Sequence, residues 1–444
     1  MSDNQYNTFF DEIQDKFRWV FEYYHPYGVG SGCLKCRLFP ICDNPGCPSC
    51  GYGKTYIHEH KHREIRGGTF NGVPVIYDLD QLRHICPICG ATFVDTYDCL
   101  PWGHGITTEA ENYILTMLGS MPMELIASSL GLSVETISNR AEAYAREQRE
   151  IMLGGHYKYL SMDEVFIGYN ADGSHRIYWV LNDNSLSWKS NNIMISVGRT
   201  QQEVADNLRR LIHGNEVIAV STDMWQAYLD AIQEVFPNAA VVADRFHVIE
   251  DAEKIIDAAR KKVNCSKDDK EIMKKDRQLF LTYWMALSVD QMVQLDNYLS
   301  KDKKLEETYY LIQEFMDFYS QPDYDSALEY LCKWESKLFR SNVAAELMPF
   351  YNTLVHWLPY IMNYFLFRIS NGRTEGKNNL LREIDKMGFH YGIDSLQACF
   401  YSHDRNQELI KWRRYQHKIL VKQEKAEKVL NANRTSAITS DTAA

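Results

Sequence analysis

The spacing of apolar positions changes character along the chain, and each change predicts a different kind of element. In "TTEAENYILTMLGSMPMELIASSLGLSVETISNRAEAYAREQ", apolar residues recur at helical spacing and are interrupted at "SMP" and "LGLS", which predicts three short helices. From Tyr157 the period shortens to two. "YKYLSMDEVFIGY", "HRIYWVLND" and "NNIMISVGRT" then read as three strands joined by turn-forming segments such as "NADGS". A helix is predicted at "QQEVADNLRRLIH", a strand at "EVIAVST", a helix at "MWQAYLDAIQEVF" and a strand at "NAAVVAD". Three consecutive strands followed by alternating helix and strand predict an α/β fold: a mixed sheet covered by helices, its fourth strand beside its first.

The remaining segments lack that alternation. Residues 248–345 carry many charges, scattered aromatics and no strand signal, so they read as a helical insertion before the final helices of the same domain. Residues 1–105 show little periodicity, and the small, polar residues after Asn431 predict a tail without structure. The expected organisation is an N-terminal metal-binding domain (1–105), a helix-turn-helix domain (106–152) and a first part of the α/β core (153–247). The helical insertion (248–345), the C-terminal core helices (346–412) and a basic helix with its tail (413–444) follow.

Composition sharpens the reading of the N-terminal segment. Eight of the eleven cysteines lie between Cys33 and Cys99. In a reducing compartment such clustering points to metal ligation rather than disulfides. "CPSCG" (Cys47, Cys50) and "CPICG" (Cys86, Cys89) are two C-x-x-C knuckles whose spacing lets two thiolates grip one tetrahedral Zn2+ from a tight turn. Together they predict a zinc ribbon. "CLKC" (Cys33, Cys36), with Cys42 and a histidine of "HEHKH", offers either a second site or free thiols.

The net charge of -11 weighs against a uniformly basic nucleic-acid surface, yet the segment from Arg405 to Arg434 holds nine Lys/Arg against three Asp/Glu. That basic run either holds phosphates or forms a solvated helix face. No apolar stretch approaches the roughly 20 residues of a membrane span and no signal-peptide pattern appears, so a cytoplasmic protein is expected. In "MPMELIASSLGLSVETISNR", Ala127 and Gly131 suit a tight helix pair, Ser133 suits a cap, and Thr136, Ser138, Asn139 and Arg140 are placed to reach base edges or phosphates of double-stranded DNA. An ordinary helical hairpin is the alternative.

Asp163 interrupts the first predicted strand and Asp223 ends the fourth. If those strands are neighbours, the two acids meet at one sheet edge. Glu375, in "SNGRTEGKNNLLREID", supplies a third acid at the start of a late helix. Three such carboxylates suit a pair of Mg2+ or Mn2+ ions that activate a hydroxyl and stabilise the leaving oxygen of a phosphodiester. In "ADRFHV", Asp244 and His247 follow the fifth strand. His247 then either orients a phosphate or protonates a leaving group, or it is a satisfied core histidine. Trp225 and Tyr228 read as core aromatics.

In the order "CPSCG", "CPICG", "SMDEVF", "STDMWQAY", "FPNAAVVADRFHV", "SNGRTEGKNN", the chain resembles bacterial insertion-sequence transposases of the IS-L-three type over nearly its whole length. The resemblance implies an RNase H-like catalytic domain with Asp163, Asp223 and Glu375 as a DDE triad. It further implies a zinc finger and helix-turn-helix that recognise the terminal inverted repeats of the element, metal-dependent cleavage, and joining of the 3' ends to target DNA. Such enzymes act as dimers or larger assemblies. A DNA-binding regulator that kept the fold without the reaction, and a metal nuclease that cuts without joining, are the alternatives.

Overall fold

The computed structural model describes residues 17–24, 32–41, 45–70, 73–97, 105–170, 172–185, 191–388 and 390–441, and the chain divides into two compact units. The first combines residues 1–147 with 384–444, and the second is continuous over 148–383.

The first unit opens on a sheet of five strands: β1 (Phe17–Tyr24), β2 (Cys33–Pro40), β3 (Tyr56–Phe70), β4 (Val73–Ile85) and β5 (Thr92–Val94). Their order is β1-β2-β4-β3, with β5 also paired to β4. The weak periodicity of residues 1–105 gives no sign of an apolar core. Yet Cys36, Leu38, Ile65, Val75, Tyr77 and Leu79 form a small apolar core of their own. Much of β3 is exposed, where Glu64, His60 and His62 pair with Lys35 of β2 and with Asp80 and Asp78, whereas β4 also buries Gln81, Leu82 and His84. Those charged alternations are what hid the strands.

Three helices follow as predicted by the spacing: α1 (Thr108–Met117), α2 (Met123–Leu130) and α3 (Val134–Leu153). Thr107 caps α1, Gly131 ends α2 at φ 63°, and the Ser133 hydroxyl accepts from the Thr136 amide at the start of α3. Ile126, Leu130 and Ile137 are fully buried in their seam.

The second unit holds the mixed sheet β6 (Tyr159–Tyr169), β7 (His175–Asp183), β8 (Asn192–Ser196), β9 (Ala219–Thr222) and β10 (Ala240–Ala243), in the order β10-β9-β6-β7-β8. β6, β7 and β8 are antiparallel neighbours, whereas β9 runs parallel to both β6 and β10. Helices α4 (Gln201–Leu208) and α5 (Gln226–Val235) connect β8 to β9 and β9 to β10. After β10 the described chain is helical throughout. It forms α6 (Arg245–Lys262), α7 (Lys267–Lys275), α8 (Arg277–Leu281), α9 (Val289–Leu299), α10 (Lys303–Asp317), α11 (Tyr324–Arg340), α12 (Ala344–Met362), α13 (Tyr364–Phe367) and α14 (Gly372–Met387). One apolar core runs continuously from Leu153 to Ile369, so sheet and helices share it.

The last helix, α15 (Ile393–Asp441), returns to the first unit and extends through the segment after Asn431 for which composition predicts no structure. The Ser402 hydroxyl donates to the Leu115 carbonyl of α1, and the Tyr391 hydroxyl, just before α15, accepts from the Met123 amide of α2. No helix of the described residues is long and apolar enough to cross a membrane.

Gly119, at φ 76°, lies where a Cβ would come within 2.5 Å of the Cys399 carbonyl oxygen. Gly119→Ala therefore combines a left-handed backbone with a clash against main chain, and thermal unfolding is expected to show a loss of about 2–4 kcal/mol.

Candidate active site and thiol centre

The parallel register decides where the acids fall. Ser161 of β6 is paired with Ser221 of β9, so Asp163 and Asp223, each two residues further on, reach the same level of the sheet. β10 is registered Ala243 to Thr222, which puts Asp244 beside Asp223 at the next strand end. One ligand atom each of Asp163, Asp223 and His247 lie within 4.8 Å of one another.

His247, on the first turn of α6, is the positive partner in this group. Its Nδ1 stands 3.0 Å from Asp223 Oδ1 and 3.2 Å from Asp244 Oδ2, and the geometry to Asp244 is that of a hydrogen bond. Burial opposes its protonation, but Asp223, Asp244 and Asp163 outweigh that and hold its pKa at about 11. The pKa of Asp163 is raised as well, which in a carboxyl favours the neutral form. Burial and the neighbouring Asp223 push its pKa up to about 8, with His247 opposing the shift. Carboxylates this close cannot all ionise unless positive charge is added.

The helix α14 completes the cleft. Asn371, Thr374 and Asn378 recur at one face of its first two turns and are all buried. The Asn371 amide donates to Asp244 Oδ1 at 2.7 Å, its side chain donates to the Met162 carbonyl, and Asn378 Nδ2 donates to Asp163 Oδ2 at 2.8 Å. Thr374 lies 2.8 Å from the Ser161 hydroxyl. Glu375, one position round the helix, is exposed and stands outside the Asp163–Asp223–His247 cluster, yet it lines the same cleft of ≈ 380 Å³ as Asp163, Asp244, His247, Asn378 and Arg382. The polar stripe 371-374-378 is legible in "SNGRTEGKNN", but the role of Asn378 as the donor to Asp163 emerges only from the fold.

Trp225 does not join the core. It is 46% exposed at the N-terminus of α5, whereas Tyr228 is fully buried. The Arg199 guanidinium lies 5.1 Å from the Trp225 ring and donates to Glu164 at 2.8 Å, and Tyr228 donates its hydroxyl to the same carboxylate. Glu164 also lines the cleft.

In the first unit the four knuckle cysteines meet. Cys47 and Cys89 Sγ are 3.6 Å apart, as are Cys50 and Cys86, and the four thiols lie within 4.8 Å of one another. These separations are far beyond an S–S bond and close to the roughly 3.8 Å edge of a tetrahedron with 2.3 Å metal–sulfur bonds. Gly51 and Gly90 close the two knuckles at φ 72° and 70°. Burial works against ionising Cys47, but the Cys50 and Ser49 amides point at its sulfur and bring its pKa down to about 6. Cys86 is lowered chiefly by the Cys89 amide.

The proposed second thiol site fares differently. Cys36 belongs to the apolar core, where burial raises its pKa to about 11, and Cys42 lies outside the described residues. His60 and His62 of "HEHKH" are engaged with Asp80 and Asp78.

Of the four helix-turn-helix candidates, Asn139 is exposed and Thr136 half-buried. The Ser138 hydroxyl is 3.3 Å from that of Ser395, and Arg140 reaches Glu111 at 3.5 Å. Lys411, Arg413, Arg414 and Lys418 of the basic run are exposed on α15.

Comparison with known proteins gives the family. The profile of the transposase family with a DDE domain of the IS-L-three type matches residues 160–399, a segment that contains every acid of the cleft. This chain belongs to that family. The transposase for insertion sequence element IS1001 of Bordetella parapertussis is 25% identical over 370 residues, covering 81% of this chain and 88% of the relative. Among solved structures, the Drosophila P element transposase strand transfer complex matches 68% of this chain and 92% of that one, at 14% identity and a TM-score of 0.36, a likeness too loose to define the fold.

The crowding of acids in this transposase-family cleft has a measurable cost. With its folded pKa raised from the usual carboxylate range to about 8, Asp163 progressively destabilises the folded state as pH rises from roughly 4 to 8. In magnesium-free buffer Asp163→Asn is expected to remove that decline, leaving the variant about 1–3 kcal/mol more stable than wild type at pH 8 and close to it at pH 5, by chemical denaturation.

Proposed function

We propose that this family member is an active DDE transposase: it binds the terminal inverted repeats of its own element, cleaves there, and joins the freed 3' ends to target DNA. The observation that carries the reading is the convergence of Asp163 and Asp223 on His247, with Glu375 on the rim of the same cleft, inside the family-matched segment. An RNase H-like catalytic core is the fold this reading implies, and the β10-β9-β6-β7-β8 order supports it.

The donor set fits hard divalent cations. Asp163 is driven toward protonation by burial and by Asp223, and Asp223 Oδ1 is buried with the His247 Nδ1 ion pair at 3.0 Å beside it. Asp163, Asp223 and Glu375 would hold Mg2+ or Mn2+, which supply Lewis acidity for in-line displacement at a phosphodiester. The chain's own groups do the positioning. Asn378 fixes Asp163, Asp244 fixes His247, and His247 holds a proton at the cleft that it can give to a leaving oxygen or share with a phosphate. The exposed Trp225 face beside Asp223 offers a stacking surface for a base near the cut.

In the first unit, Cys47, Cys50, Cys86 and Cys89 suit Zn2+, and the helix-turn-helix presents Thr136 and Asn139 to DNA, with Ser138 turned toward α15. Arg140 and the basic stretch of α15 add phosphate contacts. The domain divisions expected from the sequence, a homodimer or larger assembly that pairs two element ends, and a cytoplasmic location belong to the same reading.

Incubation with DNA carrying the element's inverted repeats and Mg2+ or Mn2+ tests it. Wild-type protein is expected to cut at the repeat ends and yield joined products. Asp223→Asn is expected to lose at least about 10³-fold in rate while still binding the repeats. Cutting without joined products would leave a nuclease, and binding without cutting by wild type would leave a regulator.

The thiol centre has its own readout. Cys86→Ser is expected to lower bound zinc by about one equivalent relative to wild type by metal analysis, and to lower the melting temperature of the first unit's transition while leaving that of the second in place.

A further inference from the structure

A second group of ligand-type side chains converges in the unit that holds the acid cleft. His156 lies in the stretch between α3 and β6, and His213 and Glu216 lie in the turn between α4 and β9. The two imidazoles stack with centroids 3.9 Å apart and planes 19° from parallel. His156 Nδ1 is 2.9 and 3.0 Å from the two Glu216 oxygens, and His213 Nδ1 is 3.8 Å from Oε1. One ligand atom of each of the three residues lies within 4.8 Å of the others.

The backbone holds this set together from both sides. The Ile212 amide donates to the Leu153 carbonyl at 3.0 Å, and the Ile218 amide donates to the Lys158 carbonyl at 2.8 Å, so the two segments are tied just before and just after the cluster. The Glu216 amide closes the turn onto the His213 carbonyl at 3.0 Å.

We propose that His156, His213 and Glu216 form a site for a transition-metal cation of the Zn2+, Co2+ or Ni2+ class. Tetrahedral coordination at 2.0–2.1 Å sets ligand atoms about 3.3 Å apart, which the present spacing approaches once the stacked imidazoles turn out of the stack to aim their in-plane lone pairs at one ion. Room for this movement exists, since the His156 and Glu216 side chains are 65% and 40% exposed. Two imidazoles and one carboxylate favour this class over Mg2+ and Ca2+, which prefer all-oxygen sets, so the site is chemically distinct from the acid cleft.

Its place in the fold gives it a structural role. β6 and β9 begin pairing at Tyr159 and Ala219, and the three ligands precede those residues on the two segments that lead in. The ion would clip the two parallel strands at their starts, at the opposite end of the pair from Asp163 and Asp223. It takes no part in the reaction.

Cobalt titration of the full chain in excess Mg2+, after loading with a single equivalent of zinc that the four-thiol centre takes first, tests the assignment. Wild type is expected to take up one further equivalent of Co2+, with visible ligand-field absorption and a rise in the melting temperature of the second unit. His156→Ala and His213→Ala, both in surface positions, are each expected to weaken that uptake at least tenfold and abolish the thermal shift, with Glu216→Gln intermediate. His247→Ala is expected to leave it intact. No additional equivalent in wild type, uptake that survives both imidazole substitutions, or uptake lost in His247→Ala would each overturn the proposal. None of these outcomes depends on DNA cleavage, so the site stands or falls apart from the transposase reading.

Discussion

Negative charge gathered at one edge of a parallel strand pair is the constraint around which the second unit is organised. Asp163, Asp223 and Asp244 are brought to neighbouring positions by register alone, because β9 lies between β6 and β10 and runs parallel to both. Like charges at that spacing repel in a medium that screens poorly. The chain answers with one imidazolium, His247, and with amide donors from Asn371 and Asn378. Stability is given up locally, and what is gained is a pocket that attracts cations.

The docking of α14 follows from the same constraint. Its buried face is polar where an apolar face would be ordinary, and a chain of contacts runs from Asn192 to Asn182, then to Thr374 and Ser161. An apolar interface tolerates sliding by a fraction of a turn, whereas the Asn182–Thr374 and Ser161–Thr374 bonds are lost if the helix shifts. The position of Glu375 on the rim is thereby fixed by its neighbours rather than by contacts of its own.

Sequence exposed the parts of this arrangement that break a local rule. An aspartate inside an apolar strand, a second at the end of another, and two Cys-Pro-x-Cys-Gly knuckles are all conspicuous against their surroundings. The mixed sheet was legible because its strands are short apolar runs such as "VIAV" and "AAVVA" bounded by turn and helix signals. The β3–β4 hairpin was not, since its exposed stretch alternates charge with charge and only a few residues, such as Ile65 and Leu79, reach a core. Trp225 misleads for a different reason. Its spacing from Tyr228, Leu229 and Ile232 matches an inward helical face, but it precedes the helix with extended backbone at φ -117° and ψ 120°, which turns the ring outward. Asn378 needed the three-dimensional neighbour Asp163 before its role could be seen.

One feature of connectivity reaches beyond the site. The unit that carries the thiol centre and the helix-turn-helix is built from both ends of the polypeptide, while the unit with the acid cleft is one uninterrupted stretch between them. During synthesis from the N-terminus, the middle of the protein can therefore finish folding while its front end still waits for α15 to emerge from the ribosome. A message cut short after the cleft would release a finished second unit beside a first unit that still lacks α15.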